Sequence, residues 1–163
     1  MRVSSDELLT FLKNSNINAL TVEHPPVFTV AESQRLRGEI PGEHTKNLFL
    51  RDNNRNYFLV VAGEDRSVDL KRLCKLIGAR GRLSFAPREA LAEVLGIEAG
   101  AVSPLAVIND EAKRVQVIIE RELLTCHLIN CHPLVNYRTT SLSPQQLLDF
   151  LKNTGHEPLR VDL

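Results

Sequence analysis

The 163-residue sequence contains no tryptophan, and none of its apolar runs approaches the roughly 18 residues that a membrane-spanning helix needs. The N-terminal stretch MRVSSDELLTFLKN mixes acidic and basic residues and lacks the continuous apolar segment of a secretory signal. Only three cysteines occur, Cys74, Cys126 and Cys131, and no CxxC pair is formed by them. We therefore expect no disulfide framework, no membrane partner and a reducing, cytoplasmic location.

Neither sign of charge is in excess, because 20 lysines and arginines are balanced by 20 aspartates and glutamates. A protein that grips long nucleic acid by bulk electrostatics needs a positive excess, so DNA binding is not expected. A local basic patch that reaches one end of an RNA is still compatible with this balance. With 43% hydrophobic residues the chain can bury a core, and its length favours one domain over residues 1–163.

The motifs of several enzyme classes are also missing. No GxGxxG, GxxxxGK[ST] or GxSxG sequence occurs, and the five histidines form no HExxH or HxH pairing. Local spacing therefore supplies no support for a metal site, a dinucleotide site or a P-loop. Cys131 and His132 are neighbours in NCHPL, but adjacent side chains on an extended segment point to opposite faces and cannot pair. Cys131 is instead predicted to be a small buried filler.

Short strands alternate irregularly with helices along the chain. Apolar spacing predicts a first helix that is capped by Ser4 or Ser5 and carries Leu8, Leu9, Phe11 and Leu12. Spacing and capping residues predict further helices over TVAESQRL capped by Thr29, SVDLKRLCKLIG, PREALAEVLGI and SPQQLLDFLKNTG capped by Ser143. The predicted strands are ALTVE, KNLFLRD, NYFLVVAG, RLSFA, SPLAVIN, VQVIIER, the end of ELLTCHLIN, TTSLS and PLRVDL, whereas RGEIPGEHT reads as a polar loop and NNRN as a hairpin turn. This order predicts an α+β (mixed α/β) domain with a central, mostly antiparallel sheet flanked by helices.

Three stretches place polar groups beside apolar ones. Lys46 stands at the mouth of the strand KNLFLRD, where it is either an ordinary exposed strand end or a cation aimed into a pocket. In GAVSPLAVI, Gly100 and Pro104 bracket a GxxxP loop, which either approaches a ligand closely or only connects two elements. HPLVNYRTTSL interleaves polar and core residues, so its donors either tie down a loop or line a pocket.

Together, KNLFLRD (46–52), GAVSPLAV (100–107), HPLVNYRTTSL (132–142) and FLKNTGHEP (150–158) resemble the YbaK/ProX prolyl-tRNA editing domain family. The similarity extends over essentially the whole chain, and the motifs arrive in the family's order. The resemblance implies a compact mixed domain, residues 1–163, that acts as an aminoacyl-tRNA deacylase without metal or cofactor.

The pattern is most similar to the free-standing branch that removes alanine from mischarged tRNA(Pro). The implied partners are the acceptor end of that tRNA and, beyond it, prolyl-tRNA synthetase or an elongation factor. Two alternatives stay open. The substrate is another mischarged ester, of cysteine, serine or threonine, or the domain is a non-catalytic tRNA- or synthetase-associated binding module.

The resemblance also implies site residues. The family's lysine, loop glycine and histidine fall on Lys46, Gly100 and His132, which are the expected catalytic positions. The expected substrate-binding positions are Asn47, Ala101, Val102, Ser103, Pro104, Asn136, Thr139 and Thr140. Four basic residues close in sequence are candidates for contacts to tRNA phosphates or, equally, for a solvated helix face: Arg72, Lys75, Arg80 and Arg82.

Overall fold

Eight strands form the centre of the computed structural model, which describes residues 2–26 and 40–163. The strands are β1 (Leu20–Glu23), β2 (Glu43–Arg51), β3 (Tyr57–Gly63), β4 (Ser84–Phe85), β5 (Val115–Glu120), β6 (Ile129–Cys131), β7 (Arg138–Leu142) and β8 (Leu159–Val161). They lie in the order β1-β7-β6-β2-β3-β5-β8, with β4 paired to β2. Four of the pairings are antiparallel and three are parallel. The mixed α/β fold expected from the sequence is therefore confirmed.

Helical segments cover both faces of the sheet. They are α1 (Ser5–Asn14), α2 (Leu70–Ile77), α3 (Arg88–Ala90, continued by a wider π-type turn at Leu91–Leu95), α4 (Pro144–Asn153) and three 3₁₀ segments at Ala99–Ala101, Pro104–Asn109 and Arg121–Thr125. The helix predicted over TVAESQRL lies outside the described residues. Among residues 2–26 and 40–163, no helix combines the length and the apolar character needed to cross a membrane.

Local capping chemistry explains where the long helices begin. Ser4 accepts a hydrogen bond from the Glu7 backbone N–H, and the Glu7 side chain accepts one from Ser4, so α1 starts with a capping box. Ser143 and Gln146 repeat the arrangement at α4, and Pro144 occupies the first turn. These helix starts, predicted from Ser4 or Ser5 and from Ser143, are confirmed.

Two apolar cores lie on opposite faces of the sheet. The larger one packs α1, α3, α4 and the 104–109 segment against one face, around side chains such as Leu8, Leu95 and Phe150. The smaller one packs Leu73 of α2 against Leu50 and Val60 on the other face. Since side chains alternate along β2, Phe49 faces the larger core, whereas Leu48 and Leu50 face the smaller one.

Two predictions about secondary structure are wrong. SPLAVIN is not a strand, because Pro104–Asn109 is a 3₁₀ helix whose first turn is capped by the Ser103 hydroxyl, which accepts from the Leu105 N–H at 3.1 Å. An apolar run that is buried on all sides carries no periodicity, so Pro104 and the Ser103 cap were the better signals. The strand β2 also begins at Glu43 rather than Lys46, since Glu43 and His44 pair with β6, a contact that local sequence does not encode.

Candidate functional site

The sheet is interrupted beside the middle of β2. One edge of β2 pairs with β3 from Thr45 to Arg51. The other edge pairs with β6 only at Glu43 and His44, and with β4 only at Leu50 and Arg51. Between these short pairings, no strand of the described ranges lies along residues 45–48. A break of this kind, where neighbouring strands diverge, leaves room for a ligand beside the strand. We call this opening the sheet gap.

Lys46 lies half-buried at the sheet gap, opposite Ala62 of β3. It forms no hydrogen bond or ion pair with any residue in the described ranges. Holding an ammonium partly out of water without a counter-charge is unfavourable, and an anionic or strongly polar ligand would offset the penalty. The position therefore fits the cation-in-a-pocket interpretation better than that of an ordinary exposed strand end.

Asn47 follows Lys46 on β2, projects from the opposite face of the strand and leaves an acceptor unused. Its Nδ2 donates to Thr45 Oγ1 at 3.3 Å, and Thr45 Oγ1 donates to the Asn130 carbonyl at 3.0 Å. Asn47 Oδ1 is buried and has no hydrogen-bond partner within the described part of the chain. A buried polar atom without a partner costs about 1–3 kcal/mol, so this oxygen is suited to accept from a donor group on a ligand.

Three histidines gather at the end of the gap where β6 and β7 meet. The rings of His24 and His132 have centroids 6.4 Å apart. His24 Nε2 is 2.8 Å from Thr139 Oγ1, which ties the ring to β7. Burial lowers the pKa of His132 below its ordinary value, and the nearby His24 and His44 act in the same direction, against the hydrogen bond to the Arg138 carbonyl. His132 is therefore a neutral imidazole near pH 7.

The hydrogen bonds also decide which nitrogen of each ring carries the proton. His132 Nδ1 lies 3.0 Å from the Arg138 carbonyl, which can only accept, so Nδ1 carries the hydrogen. The lone pair of the neutral ring then lies on Nε2, which bonds to nothing in the described ranges. Likewise His24 Nδ1 donates to the Pro25 carbonyl at 2.8 Å, so its Nε2 accepts from Thr139. His132 thus presents an acceptor, or a general base, to a ligand.

The GxxxP loop meets the segment that follows His132. A Cβ added at Gly100 would lie 3.3 Å from Asn136 Nδ2, so the glycine allows a close approach between the two segments. Gly100 does not have a positive φ, so the close approach to Asn136, and not the backbone conformation, favours glycine at this position. Gly100 and Asn136 both line a cavity of about 560 Å³ together with Tyr137.

Several expected substrate-binding residues are buried and already bonded. Ala101, Ser103 and Pro104 are buried, the Ala101 N–H donates to the Glu98 carbonyl at 3.0 Å, and Val102 is half-buried. Thr140 is fully buried on the face of the larger core, where its hydroxyl pairs with that of Thr21 at 2.7 Å. Thr139 is also buried, and its hydroxyl is bonded to His24. These residues shape the loop and the strand, whereas Gly100 is exposed and Val102 and Asn136 are half-buried.

The basic residues lie away from the sheet gap. Arg72, Lys75, Arg80 and Arg82 are exposed. The segment that carries the last two docks on the β2–β3 turn, because Arg80 donates its backbone N–H to Asp52 at 2.9 Å. Asp52 follows Lys46 by six residues of extended chain, about 20 Å. Arg80 and Arg82 can therefore contact only a part of a ligand that extends well beyond Lys46.

Within residues 2–26 and 40–163, no group of three or more histidine, cysteine, aspartate or glutamate side chains is arranged to hold a metal ion. Cys131 is buried in the larger core, as predicted, and burial raises the pKa of its thiol to about 12. The thiolate is absent at neutral pH, so Cys131 is unsuited to act as a nucleophile.

Sequence reasoning missed His24 and His44. His24 is separated from His132 by more than a hundred residues, and a lone histidine has no local motif. The available signal was its position between a predicted strand and two prolines. Segments that follow strands often carry functional side chains. The neighbourhood of His44 was hidden because the start of β2 was placed too late.

Comparisons with known proteins show which family the chain belongs to. The model of the aminoacyl-tRNA editing domain family matches residues 24–150. The chain is 40% identical over 156 residues to "Prolyl-tRNA synthetase associated domain-containing protein 1" of Danio rerio, covering 94% of this chain and 84% of that protein. It is 37% identical over 153 residues to "Prolyl-tRNA editing protein ProX" of Acetoanaerobium sticklandii, covering 93% of each.

A solved structure described as a candidate trans-editing enzyme for prolyl tRNA synthetase has the same fold. It superposes with a TM-score of 0.75 at 20% identity, over 100% of this chain and 98% of the other. Since the family model covers most of the chain and the relatives match it almost from end to end, the chain belongs to the aminoacyl-tRNA editing domain family.

Proposed function

We propose that the whole chain forms one trans-editing deacylase domain that hydrolyses mischarged tRNA(Pro), with alanine as the amino acid removed. The observation that carries this proposal is the match over 93% of both chains to a protein named for prolyl-tRNA editing. The relatives bear names that refer to prolyl-tRNA editing or to prolyl-tRNA synthetase, which supports tRNA(Pro) as the substrate and the synthetase as a partner.

The bond to be broken is an ester between the aminoacyl carbonyl and a ribose hydroxyl of the terminal adenosine. This ester is already activated, so the protein needs to position it and to stabilise the negative charge that develops on the carbonyl oxygen. Lys46 supplies a fixed positive charge at the sheet gap for the ribose or the terminal phosphate. Asn47 Oδ1, a buried acceptor without a partner among the described residues, suits the α-ammonium of the amino acid.

No protein nucleophile is required. The Thr139 hydroxyl donates to His24, the Ser141 hydroxyl donates to Asn130 Oδ1 at 2.6 Å, and the Cys131 thiol is protonated in the core. Water, assisted by the neighbouring ribose 2′-hydroxyl as the family resemblance implies, is then the attacking group. His132 Nε2 can accept a hydrogen bond from the attacking water or from the ribose 2′-hydroxyl.

The GxxxP loop is the proposed site for the carbonyl oxygen. The Ala101 N–H is engaged by the Glu98 carbonyl, so the donors must come from other positions of the loop. Gly100 brings this loop close to Asn136, and the side-chain amide of Asn136 adds a further donor at the same place. Selection for alanine comes from the size of the pocket, which rejects proline sterically but rejects glycine or serine by only about 1–3 kcal/mol.

A panel of charged tRNAs tests the proposal. The purified protein is incubated with tRNA(Pro) carrying alanine, cysteine, serine, threonine or proline, and with alanyl-tRNA(Ala), and loss of each ester is compared with buffer alone. We expect the fastest loss for alanyl-tRNA(Pro) and none for prolyl-tRNA(Pro). Fastest loss of another ester would assign that substrate instead, and protection of the esters would identify a binding module.

Replacement of Lys46 by alanine tests the site. We expect deacylation of alanyl-tRNA(Pro) to fall by tenfold or more while the melting temperature stays unchanged, because a half-buried cation without a partner in the described residues adds little to stability. Lys152→Ala, the same change at an exposed lysine of α4, is the matched control and should leave both quantities unchanged. Normal turnover by Lys46→Ala would remove Lys46 from the site.

A further inference from the structure

Phe85 is an unusual aromatic residue because it lies on a strand yet its ring is uncovered. Its side chain is 64% exposed, whereas Leu50, its partner on β2, is fully buried. Among the phenylalanines that the structure describes, the others are buried or half-buried. In a chain with only 5% aromatic residues, an exposed ring is a candidate contact residue rather than an incompletely buried core residue.

The ring faces the same side of the sheet as Lys46. Phe85 pairs with Leu50, and paired residues point to the same face. Leu50 follows Lys46 by four residues on a strand without bulges, so both side chains project from one face. The spacing along β2 is about 13 Å. A group that contacts Phe85 is therefore distinct from the group held at Lys46, but a single extended ligand can reach both.

The segment that carries Phe85 is basic in sequence. The stretch from Leu70 to Arg88 contains no acidic residue, although acids and bases are equal in number over the whole chain. Its cations are Lys71, Arg72, Lys75, Arg80, Arg82 and Arg88. All are exposed, and none forms an ion pair within the described part of the chain. An exposed ring on a segment rich in exposed cations fits a ligand with flat apolar faces and a repeated negative charge.

Single-stranded RNA has this combination, because each base offers a face for stacking and each linkage offers a phosphate. A protein partner with an acidic apolar surface would satisfy the charge but would not require an aromatic ring. Leu76, another exposed apolar residue of the same stretch, cannot stack a base in this way.

We infer that Phe85 is a stacking platform for an unpaired nucleotide of the tRNA 3′ end, upstream of the aminoacylated adenosine. This inference rests on the proposed function, since it assumes that the ribose or the phosphate of the terminal adenosine lies at Lys46. The 13 Å spacing excludes the terminal adenosine itself and assigns the ring to a preceding nucleotide, while the neighbouring cations bind the phosphates on either side.

Steady-state kinetics with alanyl-tRNA(Pro) test the contact. Phe85→Ala should raise KM roughly tenfold and leave kcat within a factor of two, because loss of one stacked base weakens binding without altering the reacting groups. Phe85→Tyr should restore the wild-type KM, and Leu76→Ala is the matched control that leaves KM unchanged. With 3′-alanyl-adenosine, which lacks the preceding nucleotides, wild type and Phe85→Ala should react equally.

A binding measurement separates failure of this inference from failure of the proposed function. The chain has no tryptophan, so Phe85→Trp introduces a single tryptophan, whose emission can be excited selectively. We expect its emission to be quenched by uncharged tRNA(Pro) but not by the same tRNA with its unpaired 3′ end removed. This readout requires no deacylation, so it holds even if no charged tRNA is hydrolysed.

Three results would overturn the inference. The first is quenching that does not depend on the unpaired 3′ end, and the second is an unchanged KM for Phe85→Ala. The third is an equal loss of activity by Phe85→Ala on alanyl-tRNA(Pro) and on 3′-alanyl-adenosine. An emission that shifts with protein concentration in the absence of RNA would assign the ring to contact with a second copy of the chain instead.

Discussion

His132 and His156 show how differently one residue type is used in two regions of this molecule. His156 is 4% exposed and both of its ring nitrogens are bonded, Nδ1 to Thr154 Oγ1 and Nε2 to Asp110 Oδ2, each at 3.0 Å. His132 uses only Nδ1, and its Nε2 bonds to nothing in the described ranges. Both nitrogens of the His156 ring are held by the fold, whereas His132 leaves Nε2 available to a ligand.

The partners of the two rings differ in the same way. Asp110 accepts from His156 and from the backbone N–H groups of Arg114 and Val115. Burial acts to raise the pKa of Asp110, but these hydrogen bonds outweigh it and lower the pKa below its ordinary value. The His156–Asp110 pair therefore connects the end of α4 to the start of β5 as a closed network. The network around His132 is open at Nε2, which has no partner in the described ranges.

The largest effect that would sharpen this comparison is expected for Gly100→Val. If the GxxxP loop holds the oxyanion, displacing Asn136 and one loop donor should lower kcat about a hundredfold, or roughly 3 kcal/mol. Stability should change little, because Gly100 is exposed and does not have a positive φ. Deacylation rates and melting curves of the purified variant measure the two quantities.

Gly78→Val is the matched control for Gly100→Val. Gly78 ends α2 with φ +67°, where a β-branched residue is strained, but it lies outside the proposed site. This variant should lose stability and keep its turnover per folded molecule. If Gly100→Val behaved in the same way, the loop would be scaffold and the oxyanion would be held elsewhere.

The second largest effect is expected when His156 is replaced, and it tests the comparison with His132 directly. His156→Ala should destabilise the fold by about 2–3 kcal/mol, because it leaves Asp110 buried with fewer partners. Turnover per folded molecule should stay normal. His132→Ala should do the reverse: it should lower kcat/KM and reduce the free energy of unfolding by less than about 1 kcal/mol. Urea denaturation and deacylation assays of both variants test this, and equal losses of stability would show that the two histidines do not differ.

The smallest effect is a shift of the pH profile. Because the pKa of folded His132 lies below its ordinary value, the unfolded state takes up its proton first as the pH falls. Its contribution to stability is complete above about pH 6.5 and is lost between that pH and the lower folded pKa. The acid limb of kcat/KM should likewise fall below pH 6.5, measured after subtraction of spontaneous ester hydrolysis. A limb at or above pH 6.5 would mean that another group limits the reaction.

The candidate site could be predicted in part from the sequence. Lys46, Asn47 and His132 could be predicted because they lie in short motifs that resemble those of the family. His24 was not, since its approach to His132 depends on the pairing of β1 with β7, which joins segments far apart in the chain. Phe85 carried no signal either, because an apolar residue in a predicted strand is ordinarily assigned to the core.

Local chemistry was sufficient to determine the helix starts at Ser4 and Ser143, the stop at Gly78 and the β2–β3 turn. Each of these features depends on hydrogen bonds or dihedral angles within a few residues. Only the tertiary structure decided that Pro104–Asn109 is helical, that β2 begins at Glu43 and that the sheet opens beside Lys46. These outcomes depend on which distant segments pair and pack, and that choice is made by the free energy of the whole fold rather than by the preferences of any one segment.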